Sequence, residues 1–213
     1  MTRAANARPA PPRLVLVTDR HATAGRDLVA VVSAALDAGL PAVQLRDKDL
    51  SGRARFALAE QLRVATAARG ALLLVNERID VALAVGADGV HLGGGALPID
   101  VVRGLVGSER LIGVSIHTPG EPTAGADFAF FGPVWPTPGK TPQDPARLAE
   151  AVRAAAVPVL AIGGVTAARV PLVREAGAVG VAVIREILAA ADPAAATHGL
   201  LAALAVATPA PPD

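Results

Sequence analysis

The chain alternates short apolar runs with segments of helical periodicity, from Leu14 nearly to its end. The runs have the Val, Leu and Ile content of buried parallel strands, and apolar residues in the intervening segments recur at the spacing of amphipathic helices. A brief turn of helix is expected near residues 119–124. Counting gives about eight strand-then-helix units, which indicate an α/β fold, a single closed (β/α)8 TIM barrel, more than an open doubly wound sheet.

Composition narrows the classes of protein that fit. Hydrophobic residues make up 52% of the chain and aromatic residues only 2%, so we expect a core of Ala, Val, Leu and Ile. A net charge of +1 argues against a nucleic-acid or membrane partner, since such surfaces need a concentrated basic patch. The absence of cysteine excludes disulfides and thiolate metal sites. No apolar run reaches the roughly 18 residues of a membrane span, so we expect a soluble cytoplasmic protein.

The two ends of the chain differ in composition from the middle. Residues 1–12 are rich in Ala, Pro and Arg but lack the apolar segment of a signal peptide, and residues 208–213 are rich in Pro. We therefore expect a disordered lead-in over 1–12, a barrel catalytic domain over 13–207 and a frayed tail over 208–213.

The second predicted strand ends in a run of polar residues. If its extended backbone continues, the two-residue period of a strand places Gln44, Arg46 and Lys48 on one face, opposite Leu45 and Asp47. An amide and two cations on one face suit a phosphate or diphosphate, because Arg offers a planar fork of donors and Lys a point charge. The alternative is a strand end whose charges simply lie in solvent.

Active sites of barrels lie at the C-terminal ends of the strands, so residues after the other apolar runs are further candidates. The Gly163-Gly164 turn after strand seven can bring backbone N–H groups close to a phosphate, next to Ile184 and Arg185 after strand eight. After strand three, Glu77 could hold Mg²⁺ against a diphosphate, pair with Arg78 or Lys48, or lie in solvent.

More polar side chains are expected at the same end of the barrel. The Pro-rich loop after strand six is long for a connector, and its Thr137 and Lys140 can donate to phosphate. Ser115 and His117 share a face if strand five continues, and a histidine there can act as a general acid or base. His91 lies inside strand four and fits a hydrogen-bonded core residue equally well.

Several blocks of this sequence, spread from about residue 14 to residue 190, carry a resemblance to known proteins. The blocks are Val43-Gln44-Leu45-Arg46-Asp47-Lys48, Val75-Asn76 with Arg78-Ile79-Asp80, Gly86-Ala87-Asp88-Gly89-Val90-His91-Leu92-Gly93, Ile112-Gly113-Val114-Ser115 with His117-Thr118, Phe131-Gly132-Pro133-Val134, Pro136-Thr137-Pro138 with Lys140, and Ala161-Ile162-Gly163-Gly164. In register, these blocks resemble thiamine phosphate synthase. They also resemble the sister family, the thiazole tautomerases, which share the barrel.

The resemblance to the synthases implies a transferase of thiamine biosynthesis. The enzyme would join 4-amino-2-methyl-5-pyrimidinylmethyl diphosphate to a thiazole phosphate and release diphosphate, with Mg²⁺ as its cofactor. Its partners would be these small phosphorylated substrates, and a homo-oligomer is left open. By the same resemblance, the pyrimidine diphosphate would contact Gln44, Arg46, Lys48, Asn76, Ser115 and Lys140. The thiazole phosphate would contact Thr137, Gly164, Ile184 and Arg185. The residues expected to act in catalysis are Arg46, Lys48, Ser115, His117 and Lys140.

The chain departs from the synthase pattern at the implied metal site. The synthases usually carry two Mg²⁺-binding aspartates, and this chain has Glu77 and Ala96 at those positions. Glutamate can still bind a metal ion, whereas alanine cannot. Gly139 stands where the family has a second threonine, and Arg185 stands where it has a serine.

Three functions therefore compete at the level of sequence. A synthase accounts for the whole diphosphate-binding set of Gln44, Arg46, Lys48 and Lys140. A thiazole tautomerase would isomerise a thiazole phosphate carboxylate, with His117 transferring the proton, and has no diphosphate to bind. A non-catalytic binder of thiamine phosphates, left after loss of the metal site, is the third.

Overall fold

A computed structural model of the protein describes residues 8–206 as a single closed barrel of eight parallel strands. Each strand pairs with its neighbour in sequence, and β8 closes the barrel against β1, for example through Val15 and Ala182. The predicted (β/α)8 barrel is thus confirmed. The strands are β1 Leu14–Val17, β2 Ala42–Leu45, β3 Leu72–Asn76, β4 Gly89–Leu92, β5 Leu111–Ile116, β6 Phe128–Phe131, β7 Val159–Ile162 and β8 Gly180–Val183.

The helices lie between the strands and cover the outside of the barrel. Short 3-10 helices, Arg20–Ala22 and Ala167–Arg169, precede α1 and α6. No helix within residues 8–206 has the length and apolarity needed to cross a membrane. The α-helices are α1 Leu28–Asp37, α2 Gly52–Ala67, α3 Ile79–Ala84, α4 Ile99–Val106, α5 Ala146–Ala154, α6 Val170–Glu175, α7 Arg185–Leu188 and α8 Pro193–Ala205.

The connection between β5 and β6 corrects one prediction. The helical turn expected near residues 119–124 is wrong, because this segment forms turns instead. Pro119 and Pro122 bias the residues before them away from helical backbone, and Gly120 between them has a φ of 88°.

The ends of the described chain bear on the expected domain limits. Residues 1–7 of the expected lead-in and all of the expected tail, 208–213, lie outside the described residues. Residues 8–12 form neither helix nor strand. The Arg8 side chain nevertheless donates to the backbone oxygen of Ser108 at 2.7 Å, so this segment contacts the barrel.

Alternate strand positions point into the barrel or outward against the helices, as the strand period requires. The interior is more aromatic than the 2% aromatic content suggests, because two of the four phenylalanines, Phe128 and Phe130, point inward from β6. The expectation of a core of Ala, Val, Leu and Ile is therefore incomplete inside the barrel. The interior cluster consists of Val15, Val17, Ala42, Leu72, Leu74, Leu111, Phe128, Phe130, Leu160 and Ala182.

Candidate active site

A cavity of about 800 Å³ opens at the C-terminal end of the strands, where the barrel fold was expected to place the site. Every residue predicted to bind substrate or metal lines it, whereas Ala96, at the position of the family's second aspartate, does not. Its methyl group packs against the hydrophobic core outside the barrel. The predicted residues that line the cavity are Gln44, Arg46, Lys48, Asn76, Glu77, Ser115, His117, Thr137, Lys140, Gly164, Ile184 and Arg185.

Three cations from two loops converge on one wall of this cavity. Arg46 and Lys48 follow β2, and Lys140 reaches the same wall from the loop after β6. Burial, and then the charges of Arg46 and Lys48, lower the pKa of Lys140. A lysine whose positive form is disfavoured by neighbouring cations is a site prepared for an anion, because a bound anion relieves the repulsion. Gln44 lies below them at 1% exposure, and its Nε2 has no hydrogen-bond partner among the described residues.

A buried hydrogen-bonded pair fixes the loop that carries these cations. The Thr18 hydroxyl donates to Asp47 Oδ2 at 2.6 Å and accepts from the backbone N–H of Arg46 at 2.9 Å. The other oxygen of Asp47 accepts from the backbone N–H of Arg20 at 2.8 Å. Thr18 and Asp47 are both buried, so these bonds are shielded from water. The face opposite the cations thus holds Arg46 in place.

The loop after β3 places a carboxylate beside this wall. Glu77 Oε1 lies 3.3 Å from Lys48 Nζ, so Glu77 pairs with Lys48. Arg78, the other cation considered as its partner, pairs with Asp80 instead. Glu77 has a φ of 58°, a left-handed backbone that is uncommon outside glycine and is concentrated at functional sites. A Cβ atom at Gly93 would lie 2.5 Å from Glu77 Oε1, so a larger residue there would require the Glu77 carboxylate to move.

Two histidines lie on the side of the cavity formed by β4 and β5. His91, left open by sequence, is 1% exposed, and its Nε2 lies 2.9 Å from Ser115 Oγ. His117 is exposed, and its Nδ1 lies 2.6 Å from the backbone oxygen of Gly132. Because that oxygen can only accept, Nδ1 of His117 carries the proton, and Nε2 is left for a ligand.

The loops after β6 and β7 pack closely and form a second corner of the cavity. A Cβ atom at Gly163 would lie 2.4 Å from Pro133 Cβ, and one at Gly164 would lie 2.7 Å from Trp135 Cβ. Both glycines have left-handed φ values, 93° and 63°. Only glycine meets both conditions, and it leaves the backbone open to a phosphate.

Two charged residues in this corner were missed by sequence. Arg169 lies 5.2 Å from the Trp135 ring centre and donates to the backbone oxygen of Gly164. Glu186 accepts from the backbone N–H of Ala167 at 3.2 Å, so this N–H of the 3-10 helix is not free. Both line the cavity. From the sequence, the candidates are the residues that directly follow each strand. Arg169 and Glu186 lie further along the chain, although Glu186 directly follows the predicted Arg185.

Comparison with known proteins agrees with this geometry. The family described as thiamine monophosphate synthase matches residues 14–187, most of the chain. The chain belongs to this family. A protein of Geobacter sulfurreducens is 49% identical over 199 residues, 90% of this chain and 93% of the relative. The thiamine-phosphate synthase of Roseiflexus castenholzii is 46% identical over 193 residues, 87% of this chain and 85% of the relative. The resemblance noted in the sequence is confirmed.

Two solved structures share the barrel fold of this chain. A thiamine phosphate pyrophosphorylase from Pyrococcus furiosus has a TM-score of 0.81 at 34% identity, covering 90% of this chain and 95% of that one. A 3-hexulose-6-phosphate synthase has a TM-score of 0.62 at 22% identity, covering 91% of this chain and all of the other, and shares the barrel alone.

The metal site implied by the family resemblance does not fit the residues present. Within residues 8–206, no group of three His, Asp or Glu side chains is placed to hold a metal ion. Glu77 is already paired with Lys48, and Ala96 has no ligand atom and faces the core. Divalent magnesium prefers several oxygen ligands, so one carboxylate with an ammonium beside it makes a poor site. The protein cations are therefore the charges that this cavity supplies.

Proposed function

We propose that this chain is a thiamine-phosphate synthase that joins the pyrimidinylmethyl diphosphate to the thiazole phosphate. The observation that carries the proposal is the convergence of Arg46, Lys48 and Lys140 on one wall of the cavity. The family membership supplies the reaction, and the wall supplies a place for its diphosphate.

The cations would act on the bond that breaks. The bond between the pyrimidine methylene carbon and the diphosphate oxygen breaks, and both electrons leave with diphosphate. Fixed positive groups lower the barrier because negative charge grows on the leaving oxygen. The thiazole nitrogen then gives its lone pair to the methylene carbon, which forms the new C–N bond. Gln44, Asn76 and Ser115 would bind the pyrimidine end of the same substrate.

The corner formed by the loops after β6 and β7 would hold the second substrate. We infer that the thiazole phosphate binds between Gly164 and the backbone at Ile184 and Arg185, with Thr137 as a side-chain donor. The place of Gly163 and Gly164 in the cavity lining supports this, because glycine has no side chain to keep a phosphate away from the backbone. The cations and this corner belong to one cavity, so the two substrates can meet.

The tautomerase alternative is not favoured. The relatives from Roseiflexus, and several others, are thiamine-phosphate synthases by name. A tautomerase also has no diphosphate to bind, and so has little reason to keep three cations on one wall. We assign His117 a supporting role, binding or proton transfer through its free Nε2, and not the central chemistry.

We propose no step that passes through a protein-held metal ion. Magnesium carried into the site with the diphosphate would take most of its ligands from substrate oxygens. Its chemistry would then be to neutralise charge on the leaving group.

The test is diphosphate release by purified protein given both substrates, with and without Mg²⁺. Wild-type protein should release diphosphate and form thiamine phosphate. Lys140→Met should lower kcat/KM by about a hundredfold, the loss typical of one stabilising donor. Arg153→Met, which removes an exposed charge on α5, should change it little.

His117→Ala provides the discriminating variant. It should retain most of the diphosphate release if the protein is a synthase. No release by wild-type protein, together with isomerisation of a thiazole phosphate carboxylate that is lost in His117→Ala, would overturn the proposal.

A further inference from the structure

His91 is a buried histidine on the cavity floor to which the reaction assigns no role. It is 1% exposed, and its ring lies 4.2 Å from that of Phe130 and 5.8 Å from that of Phe128, measured between ring centres. Burial lowers its pKa to about 3, with a further contribution from Arg46. The imidazole is therefore neutral at physiological pH and carries a single N–H.

The two ring nitrogens have opposite surroundings. Nε2 lies 2.9 Å from Ser115 Oγ, so these two atoms share a hydrogen bond. Nδ1 is buried and has no hydrogen-bond partner among the described residues. The position of the single proton decides which nitrogen is the donor, and hence in which direction the bond to Ser115 runs.

Gly113 on the neighbouring strand decides between the two tautomers. A Cβ atom at Gly113 would lie 2.5 Å from His91 Nδ1, so the hydrogen that takes its place on the glycine Cα points towards that nitrogen. A lone pair on Nδ1 can receive this C–H group as a weak hydrogen bond. A proton on Nδ1 would instead meet it hydrogen to hydrogen and would be a buried donor without an acceptor.

We propose that His91 is a positioning residue, held as the Nε2–H tautomer, that donates to Ser115 Oγ and so turns the Ser115 hydroxyl proton into the cavity. Ser115 then donates to the bound substrate. With the proposed function, on which this last part rests, the acceptor is a ring nitrogen of the aminopyrimidine. With the opposite tautomer, Ser115 would donate to His91 and could only accept from the exocyclic amine.

The tautomer can be measured without any substrate. In ¹⁵N-labelled protein, long-range ¹H–¹⁵N correlation separates the pyrrole-type from the pyridine-type nitrogen of each of the four histidines. The signals of His91 are assigned by their loss in His91→Gln. We expect a pyrrole-type Nε2 and a pyridine-type Nδ1. A pyrrole-type Nδ1 would overturn the proposal, whether or not the protein is a synthase.

A kinetic cycle tests the consequence for the substrate. His91→Leu should lower kcat/KM for the pyrimidine diphosphate about tenfold, mainly through KM, the size of one lost hydrogen bond. His91→Gln, whose amide N–H can replace the donor, should recover most of the loss. In a Ser115→Ala background, His91→Leu should have little further effect, because the two residues act as a unit.

The outcomes separate the two proposals. If the losses of His91→Leu and Ser115→Ala multiply, His91 does not act through Ser115 and the positioning role is wrong. If wild-type protein releases no diphosphate, the proposed function fails while the tautomer result still stands. Thermal unfolding of each variant shows whether a loss comes from misfolding.

Discussion

Thr18→Val tests whether the buried pair behind the cation wall holds that wall in place. The substitution keeps the shape of the side chain but removes the hydroxyl that donates to Asp47 at 2.6 Å and accepts from the Arg46 N–H at 2.9 Å. Asp47 keeps its bond from the Arg20 N–H at 2.8 Å, so its carboxylate is not left wholly unpaired. Thr18 has no exposed surface, so water cannot replace the hydroxyl without rearrangement.

The size of the effect follows from these bonds. A hydrogen bond to a charged group contributes about 1.5–3 kcal/mol net, and a buried group left unpaired costs about 1–3 kcal/mol. With partial relaxation, we expect the free energy of unfolding to fall by about 3 kcal/mol. For a domain of this size, about 2–4 °C per kcal/mol gives a Tm lower by about 6–12 °C.

Activity should fall beyond what stability explains. Without the Thr18 hydroxyl, the backbone N–H of Arg46 loses its acceptor and Arg46 can shift. Misplacement by about 1 Å can cost up to a hundredfold in rate. We expect kcat/KM for the pyrimidine diphosphate to fall at least tenfold at a temperature where the variant stays folded. Calorimetry and diphosphate release measure the two effects.

Thr66→Val is the matched control. Thr66 is also fully buried, but its hydroxyl donates only to the backbone oxygen of Arg63 within the same helix, at 3.1 Å. Such a bond contributes little to helix stability, so we expect a change below about 1 kcal/mol and unaltered activity. Equal effects of Thr18→Val and Thr66→Val would refute the reasoning.

Three more predictions concern other parts of the site. Burial and the neighbouring Arg46 lower the pKa of Lys140, so its ammonium loses its proton at lower pH than that of a free lysine. Arg46→Met should raise this pKa in an NMR titration, and an unchanged pKa would contradict the role of Arg46. Gly113→Ala places a methyl 2.3–2.5 Å from two buried rings and should cost about 1–3 kcal/mol. Gly104→Ala, in open space on α4, should instead stabilise the protein by about 0.5–1 kcal/mol. If thermal unfolding showed both substitutions shifting stability in the same direction, the contacts at Gly113 would not explain its effect. With Mn²⁺ as a probe for Mg²⁺, substrate-free protein should show no tight metal site by EPR. A tight site in wild-type protein that disappears in Glu77→Gln would show that this one carboxylate is enough to bind the metal, against the expectation.

Much of the site could be predicted because barrel geometry converts sequence position into spatial position. Gln44, Arg46 and Lys48 follow one strand, Lys140 follows another, and closure of the barrel brings both loops to one cavity. Local spacing also put Asp47 on the opposite face. It did not show what Asp47 does there, since its partner Thr18 lies 29 residues earlier in the chain.

The same limit applies to His91. Its place in an apolar strand fitted a core residue and a site residue equally well. The bond to Ser115, 24 residues away, makes it part of the site, and the bare Cα of Gly113 sets its surroundings. Arg169 was missed for a related reason. It lies at the end of the 3-10 helix Ala167–Arg169, beyond the residues that directly follow β7, and yet it lines the cavity.

The sequence by itself determined the strand order, the barrel, the loops that carry the chemistry and the helices apart from the turn expected near residues 119–124. These features depend on periodicities of two and about 3.6 residues within short segments. Tertiary structure decided which side chains pair across strands, that Glu77 faces Lys48, and that Ala96 turns to the core. Those outcomes depend on distances between residues far apart in the chain, and such distances exist only once the barrel has closed.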